Sequence, residues 1–135
     1  MIILYGSNGS PYVSRVRMQI YAKAIPAEIR PAALGTPEYR RMNPIGKMPV
    51  LEHDGLIVPE SAVIAEYLED AFPTPSLHGE TAAERARVRL VARTVDLYCG
   101  GLLDLLRARA DSGYRIDVEA KRAEMDRGLD ALDTF

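Results

Sequence analysis

Apolar positions change rhythm several times along the first half of the chain, and each change marks an element. Ile2-Ile3-Leu4-Tyr5 is a continuous apolar run, short enough for a strand. A loop, Gly6-Ser7-Asn8-Gly9, follows it, and Ser10-Pro11 reads as an N-cap and first helical residue. Val13, Val16, Ile20 and Ala24 then recur at helical spacing, predicting a helix to about Ala24 with Arg15 and Lys23 mostly outside its apolar face. Pro26 ends it, and a second strand is expected over Ala27 to Pro31. Thr36-Pro37 opens a short helix through Arg41, which yields to Asn43-Pro44-Ile45-Gly46. Two apolar runs divided by Asp54-Gly55 predict a hairpin. Ser61 is expected to cap a helix to about Asp70, with Val63, Ile64, Tyr67 and Leu68 facing inward.

The order β-α-β-α-β-β-α describes an α/β sandwich, with parallel pairing early and an antiparallel hairpin late. Residues 72–79, Phe-Pro-Thr-Pro-Ser-Leu-His-Gly, carry the composition of a linker. Beyond them the periodicity is helical throughout. One long helix is expected from about Glu80 to Ala110, with Val88, Val91, Val95, Tyr98, Leu102 and Leu105 as its buried stripe. Gly100-Gly101 costs that helix roughly 1 kcal/mol per glycine relative to alanine, which points to close packing or a bend. A break at Asp111-Ser112-Gly113 precedes a last helix from about Val118, with Met125, Leu129 and Leu132 facing in. Two domains follow, 1–76 and 80–135.

Composition narrows the function classes. Of 135 residues, 47% are hydrophobic and 27% charged, an ordinary globular balance. A formal charge of −2 gives no field for nucleic acid, and Arg85, Arg87, Arg89 and Arg93 interleave with apolar residues as a solvated helix side does. The lone Cys99 permits no internal disulfide and no cysteine-rich metal site, and fits a reducing compartment. The apolar run at the N-terminus is too short for a signal peptide or membrane span. A cytoplasmic location, without membrane or nucleic-acid partners and without a metal, is the expectation.

The segment from Lys47 to Ser61 carries the chemistry. Pro49 cannot donate a ladder hydrogen bond, so it marks an edge or interruption of its strand. If the Met48-Pro49 bond is cis, the Met48 main chain can pair with a ligand amide as a short strand would. The same segment ends at a helix N-terminus carrying an acid, Glu60, and a hydroxyl, Ser61. The whole pattern resembles the cytosolic glutathione S-transferase family: a thioredoxin-like domain, Pro49 at the third strand, Glu60-Ser61 opening the third helix, a proline-bearing linker and then an all-α domain. The resemblance implies glutathione as co-substrate. Glu60 would take its γ-glutamyl ammonium, Ser61 and the fresh helix turn its carboxylate, Met48-Pro49 its cysteinyl amide, and Lys47 its glycyl carboxylate.

The resemblance also implies that a hydroxyl at the first helix activates the thiol. Ser10-Pro11-Tyr12 stands where serine- and cysteine-using members place that residue, and Arg15-Val16-Arg17 resembles the serine-using classes. Tyr5 at the strand end and Ser7 in the loop are alternatives. Serine in place of cysteine at position 10 points to thiolate attack on a small hydrophobic electrophile rather than thiol–disulfide exchange. A non-catalytic, protein-binding member of the stringent-starvation type, and a glutathione-dependent isomerase or dehalogenase, are the competing readings. A homodimer is implied as well. The family's helical domain runs further than Phe135, so the all-α part is expected to be incomplete.

Overall fold

A computed structural model describes every residue except Ser112, with Leu102 described by its backbone alone. The expected break at 111–113 and the expected burial of Leu102 therefore lie partly outside the described residues. The chain divides into two compact units, residues 1–77 and 78–135.

The first unit runs β1 (Ile2–Gly6), α1 (Pro11–Ala22), β2 (Ala27–Pro31), α2 (Pro37–Met42), β3 (Val50–His53), β4 (Leu56–Pro59) and α3 (Ser61–Ala71). The sheet order is β2-β1-β3-β4. β1 pairs parallel with β2 and antiparallel with β3, and β3 pairs antiparallel with β4. The thioredoxin-like arrangement that the resemblance implies is the one observed. Asp54 and Gly55 form the hairpin turn, both at positive φ (49° and 87°), as a two-residue loop matched to strand twist requires.

Alternation along the strands divides the sheet into two faces. Ile2, Leu4, Leu51 and Val58 join Val13, Val16 and Ile20 of α1 and Ile64 and Leu68 of α3 in one buried cluster. β1 meets α1 closely at Gly6, where an added Cβ would stand 2.6 Å from both γ-methyls of Val13. Only glycine fits there.

Two expectations about α1 are corrected. It ends at Ala22, and Ala24 is exposed at φ 50° beyond it rather than part of its apolar face. Lys23 and Arg15 are not on the outer side. Arg15 Nη1 donates to Ser61 Oγ (3.2 Å), Gln19 Nε2 donates to the Ala65 carbonyl (2.8 Å), and Lys23 Nζ lies 2.8 Å from Glu69 Oε2. Each rung joins residues 46 apart, so α1 and α3 run parallel and in register. The four-residue step on both helices keeps all three rungs along one line.

The last rung is a latch. The Lys23 side chain is 0% exposed, and its ammonium also donates to the carbonyls of Phe72 (2.7 Å) and Pro75 (2.6 Å). Its approach to Glu69 is an ion pair by distance, without hydrogen-bond alignment. A buried ammonium is stable only when its donors find acceptors, and here the acceptors are the chain leaving α3. On α3, Val63 is exposed rather than inward, and Ser61 is the first helical residue, with Glu60 as the N-cap.

The second unit contains α4 (Ala82–Thr94), a π-helical turn (Val95–Cys99), α5 (Gly101–Ala110) and α6 (Val118–Leu132). A capping box of Thr81 and Glu84 starts α4. The Thr81 and Glu80 N–H groups hold the Glu84 carboxyl below its ordinary pKa. The single long helix expected here is thus broken in register by the π turn. A π turn inserts a residue and rotates everything after it, so the expected stripe does not stay on one face. Val95 and Tyr98, within the turn, are exposed; Val91, ahead of it, and Leu129 of α6 are exposed independently of it. α6 instead approaches through Gly128, where an added Cβ would lie 2.8 Å from Tyr98 Cβ and 3.1 Å from Cys99 Sγ. Gly101 is buried, with its missing Cβ site 3.4 Å from the Lys121 carbonyl oxygen, an ordinary contact distance. No helix among the described residues is long and apolar enough to cross a membrane.

Lys23→Met should cost about 3 kcal/mol of unfolding free energy, because two carbonyls lose their donor and Glu69 its cation. Urea denaturation followed by circular dichroism checks this, and an unchanged midpoint and slope would show that the latch contributes nothing.

Candidate functional site

The first element of the site is the start of α1. Ser10 adopts an extended N-cap conformation (φ −94°, ψ 121°), with Pro11 at N1. Its Oγ accepts from the Val13 N–H at 3.4 Å, a long bond that uses one lone pair. The hydroxyl hydrogen is left to donate elsewhere. Ser7, exposed in the preceding loop, directs its hydroxyl to Met48 Sδ at 3.4 Å.

The second element is the entry to β3. Met48-Pro49 is cis, and Pro49 is buried. Ladder pairing begins only at Val50, so Met48 lies outside the sheet register. The loop ahead of it is pinned at one atom: the Lys47 carbonyl accepts from Tyr39 Oη (3.1 Å) and Asn43 Nδ2 (2.8 Å). Asn43 is buried, and its Oδ1 also accepts from the Ile45 N–H (3.1 Å). Lys47 itself is exposed.

The third element is the start of α3. Glu60 holds φ 71° and ψ 116°, a left-handed value unusual for any non-glycine residue, and its side chain makes no capping bond. Backbone strain of this kind costs about 1–3 kcal/mol and concentrates where a side chain must be aimed. Glu60 is exposed, whereas Ser61 is buried with its Oγ accepting from Arg15.

Tyr5 is separated from this set. It alternates with Leu4, so its ring stands on the sheet face away from α1. Its hydroxyl donates to Glu52 Oε2 (2.9 Å). Burial, and then the Glu52 carboxylate, raise its pKa above the ordinary tyrosine value. A phenol held this way is a poorer donor to a thiolate, not a better one.

Arg15, Tyr39 and Asn43 support these elements through Ser61 and the Lys47 carbonyl, and none was among the expected site residues. Arg15 reads as solvated helix surface unless its partner on α3 is known. Asn43 carries a usable signal, since asparagine before a proline-glycine loop favours side-chain to main-chain bonding.

The profile for the glutathione S-transferase N-terminal domain matches residues 4–76. A probable glutathione transferase from Aplysia californica is 42% identical over 82 residues, covering 59% of this chain and 89% of that protein. The chain belongs to the glutathione S-transferase family. A probable maleylacetoacetate isomerase from Drosophila melanogaster is 35% identical over 111 residues, covering 76% of this chain but 44% of that protein. The chain thus spans less than half the length of that protein. A glutathione S-transferase from Methylobacillus flagellatus, solved with GSH bound, superposes with a TM-score of 0.85 at 28% identity, covering 99% of this chain and 69% of that one.

Within this transferase fold, Tyr5→Phe should leave glutathione-dependent turnover within about twofold of wild type. Steady-state kinetics decide it, and a loss of about tenfold or more would return Tyr5 to the reacting centre.

Proposed function

We propose that the chain binds glutathione across the starts of α1 and α3 and activates its thiol through Ser10 for attack on a small hydrophobic electrophile. In this reading Glu60 takes the γ-glutamyl ammonium, Ser61 its carboxylate, the Met48-Pro49 segment the cysteinyl amide, and Lys47 the glycyl carboxylate. One observation carries it. Arg15 reaches Ser61, and Ser10 precedes Arg15 by five residues, so Ser10 lies about 7 Å from Arg15 along the axis of α1, toward its start. Two extended residues span about 7 Å. That span supports a γ-glutamyl group at Ser61 with its cysteinyl sulfur directed toward Ser10.

The energetics are adequate. A thiol of pKa ~8.5 is mostly protonated at neutral pH. Lowering that value by ~2 units requires ~2.7 kcal/mol of preference for the anion. A hydrogen bond to a charged group supplies ~1.5–3 kcal/mol, and a helix N-terminus adds ~0.3–1 kcal/mol. One hydroxyl at the start of α1 suffices, without a general base. Ser7 remains the alternative donor.

A second reading is favoured by the Drosophila relative, named a probable maleylacetoacetate isomerase and matched over most of this chain. An isomerase would use the same thiolate and return glutathione unchanged, whereas a transferase consumes it. Family relationship also supports a homodimer and a cytoplasmic location as part of this proposal.

Ser10→Ala should raise the pKa of bound glutathione by about 2 units, read from ultraviolet thiolate absorbance, and lower kcat far more than it weakens binding. Equal thiolate titration in both proteins would remove Ser10 from the mechanism. Following glutathione loss against product formation with a panel of electrophiles separates the transferase from the isomerase.

A further inference from the structure

Arg17 lies two turns into α1 on the same side as Ser10, since positions 10, 14, 17 and 21 repeat at helical spacing. This side is opposite the one that meets α3 through Gln19 and Lys23. Side chains on a helix lean toward its N-terminus, and Arg17 reaches beyond the helix start. Its Nη1 donates to Asn8 Oδ1, in the loop between β1 and α1. Its Nη2 donates to Tyr21 Oη at 3.1 Å, and the guanidinium carbon stands 5.7 Å from the centre of the Tyr21 ring. One half-buried guanidinium thus joins the body of α1 to the loop that delivers Ser10.

Asn8 sits at a corner of that loop. The Ser10 N–H donates to the Ser7 carbonyl at 3.3 Å, so Asn8 and Gly9 are the central residues of a four-residue turn. We propose that Arg17 is a positioning residue for Ser10: by holding Asn8 it fixes the turn over residues 7–10, and with it the direction in which the Ser10 hydroxyl meets the glutathione sulfur. This rests on the glutathione reading above and adds to it the group that aims the donor. The other restraints on the turn are weaker. The Ser10 carbonyl is fixed as an acceptor from the Ser14 N–H (3.0 Å), but its N–H and Oγ make long bonds of 3.3 and 3.4 Å between neutral groups. The Ser7 hydroxyl meets a thioether, a weak acceptor, at 3.4 Å, and no atom lies within 4 Å of the place a side chain on Gly9 would begin. The bond from Arg17 to Asn8 is charge-assisted and is the strongest of the set. A single hydroxyl stabilises a thiolate only at the right distance and angle. Slack in the turn therefore shows in the pKa of the bound thiol, whereas the contacts at the start of α3 do not pass through the turn and keep their affinity.

That separation provides the test. The thiol pKa of bound glutathione is read from ultraviolet thiolate absorbance, and its Kd from isothermal titration calorimetry. Arg17→Met should raise the thiol pKa by about 1 unit, a tenfold loss of thiolate at neutral pH, while leaving the Kd within about twofold. Asn8→Ala keeps the guanidinium and its charge and should give the same rise. In a Ser10→Ala background neither substitution should raise the pKa further, since both act through that hydroxyl. If Arg17→Met fails to fold, Asn8→Ala with and without Ser10→Ala decides the matter, because Asn8 is exposed. An unchanged pKa in Asn8→Ala, or a further rise in the Ser10→Ala background, would overturn the role of Arg17. A wild-type pKa in Ser10→Ala alone would instead remove Ser10 from the glutathione reading, and this inference with it.

Discussion

The parallel register of α1 against α3 is the constraint on which the rest of the first unit depends. Apolar packing of Val16, Ile20, Ile64 and Leu68 brings the two helices together but does not fix their sliding position, because methyl groups pack acceptably at several offsets. Directional polar contacts do fix it. Arg15, Gln19 and Lys23 each find a partner at one offset only, and a shift by one turn would bury an unsatisfied ammonium. Register is thus set by the residues whose mispairing costs most.

That register has two ends with different consequences. At the far end Lys23 holds the main chain leaving α3, at the Phe72 and Pro75 carbonyls. At the near end the helices begin, with their unpaired N–H groups, the Ser10 and Ser61 hydroxyls and the exposed Glu60 carboxylate. The sheet adds the third wall, since Asn43 and Tyr39 pin the loop that delivers Met48. Helix starts, a hydroxyl, an acid and an unpaired strand entry converge because the two helices cannot slide apart along their axes.

Local signals made most of this readable. Ser10-Pro11, Thr36-Pro37 and Asp54-Gly55 act through their own neighbours, so the strands, caps and hairpin of the first unit follow from short segments. Pro49, Glu60 and Ser61 stood out because their types are unusual in that order. Arg15 and Lys23 did not, because a charged residue at a polar helical position looks solvated until the opposing helix is known. The N-cap of α3 shifted by one residue for a similar reason: Glu60 reaches it only through a left-handed φ that no sequence rule assigns to glutamate. In the second unit the π turn over Val95–Cys99 moved the phase of the apolar stripe, and periodicity read across it misplaced Val95 and Tyr98.

In the proposed function the end where α1 and α3 begin receives glutathione, while the Lys23 end holds the fold together. Amide chemical-shift perturbation on titrating glutathione into the isotope-labelled chain tests it most directly. Shifts are expected at the N–H groups of Ser10, Met48, Glu60 and Ser61, with Lys23 and Glu69 unmoved. Perturbations centred on Lys23 and Glu69, or spread evenly with none at Ser61, would contradict it.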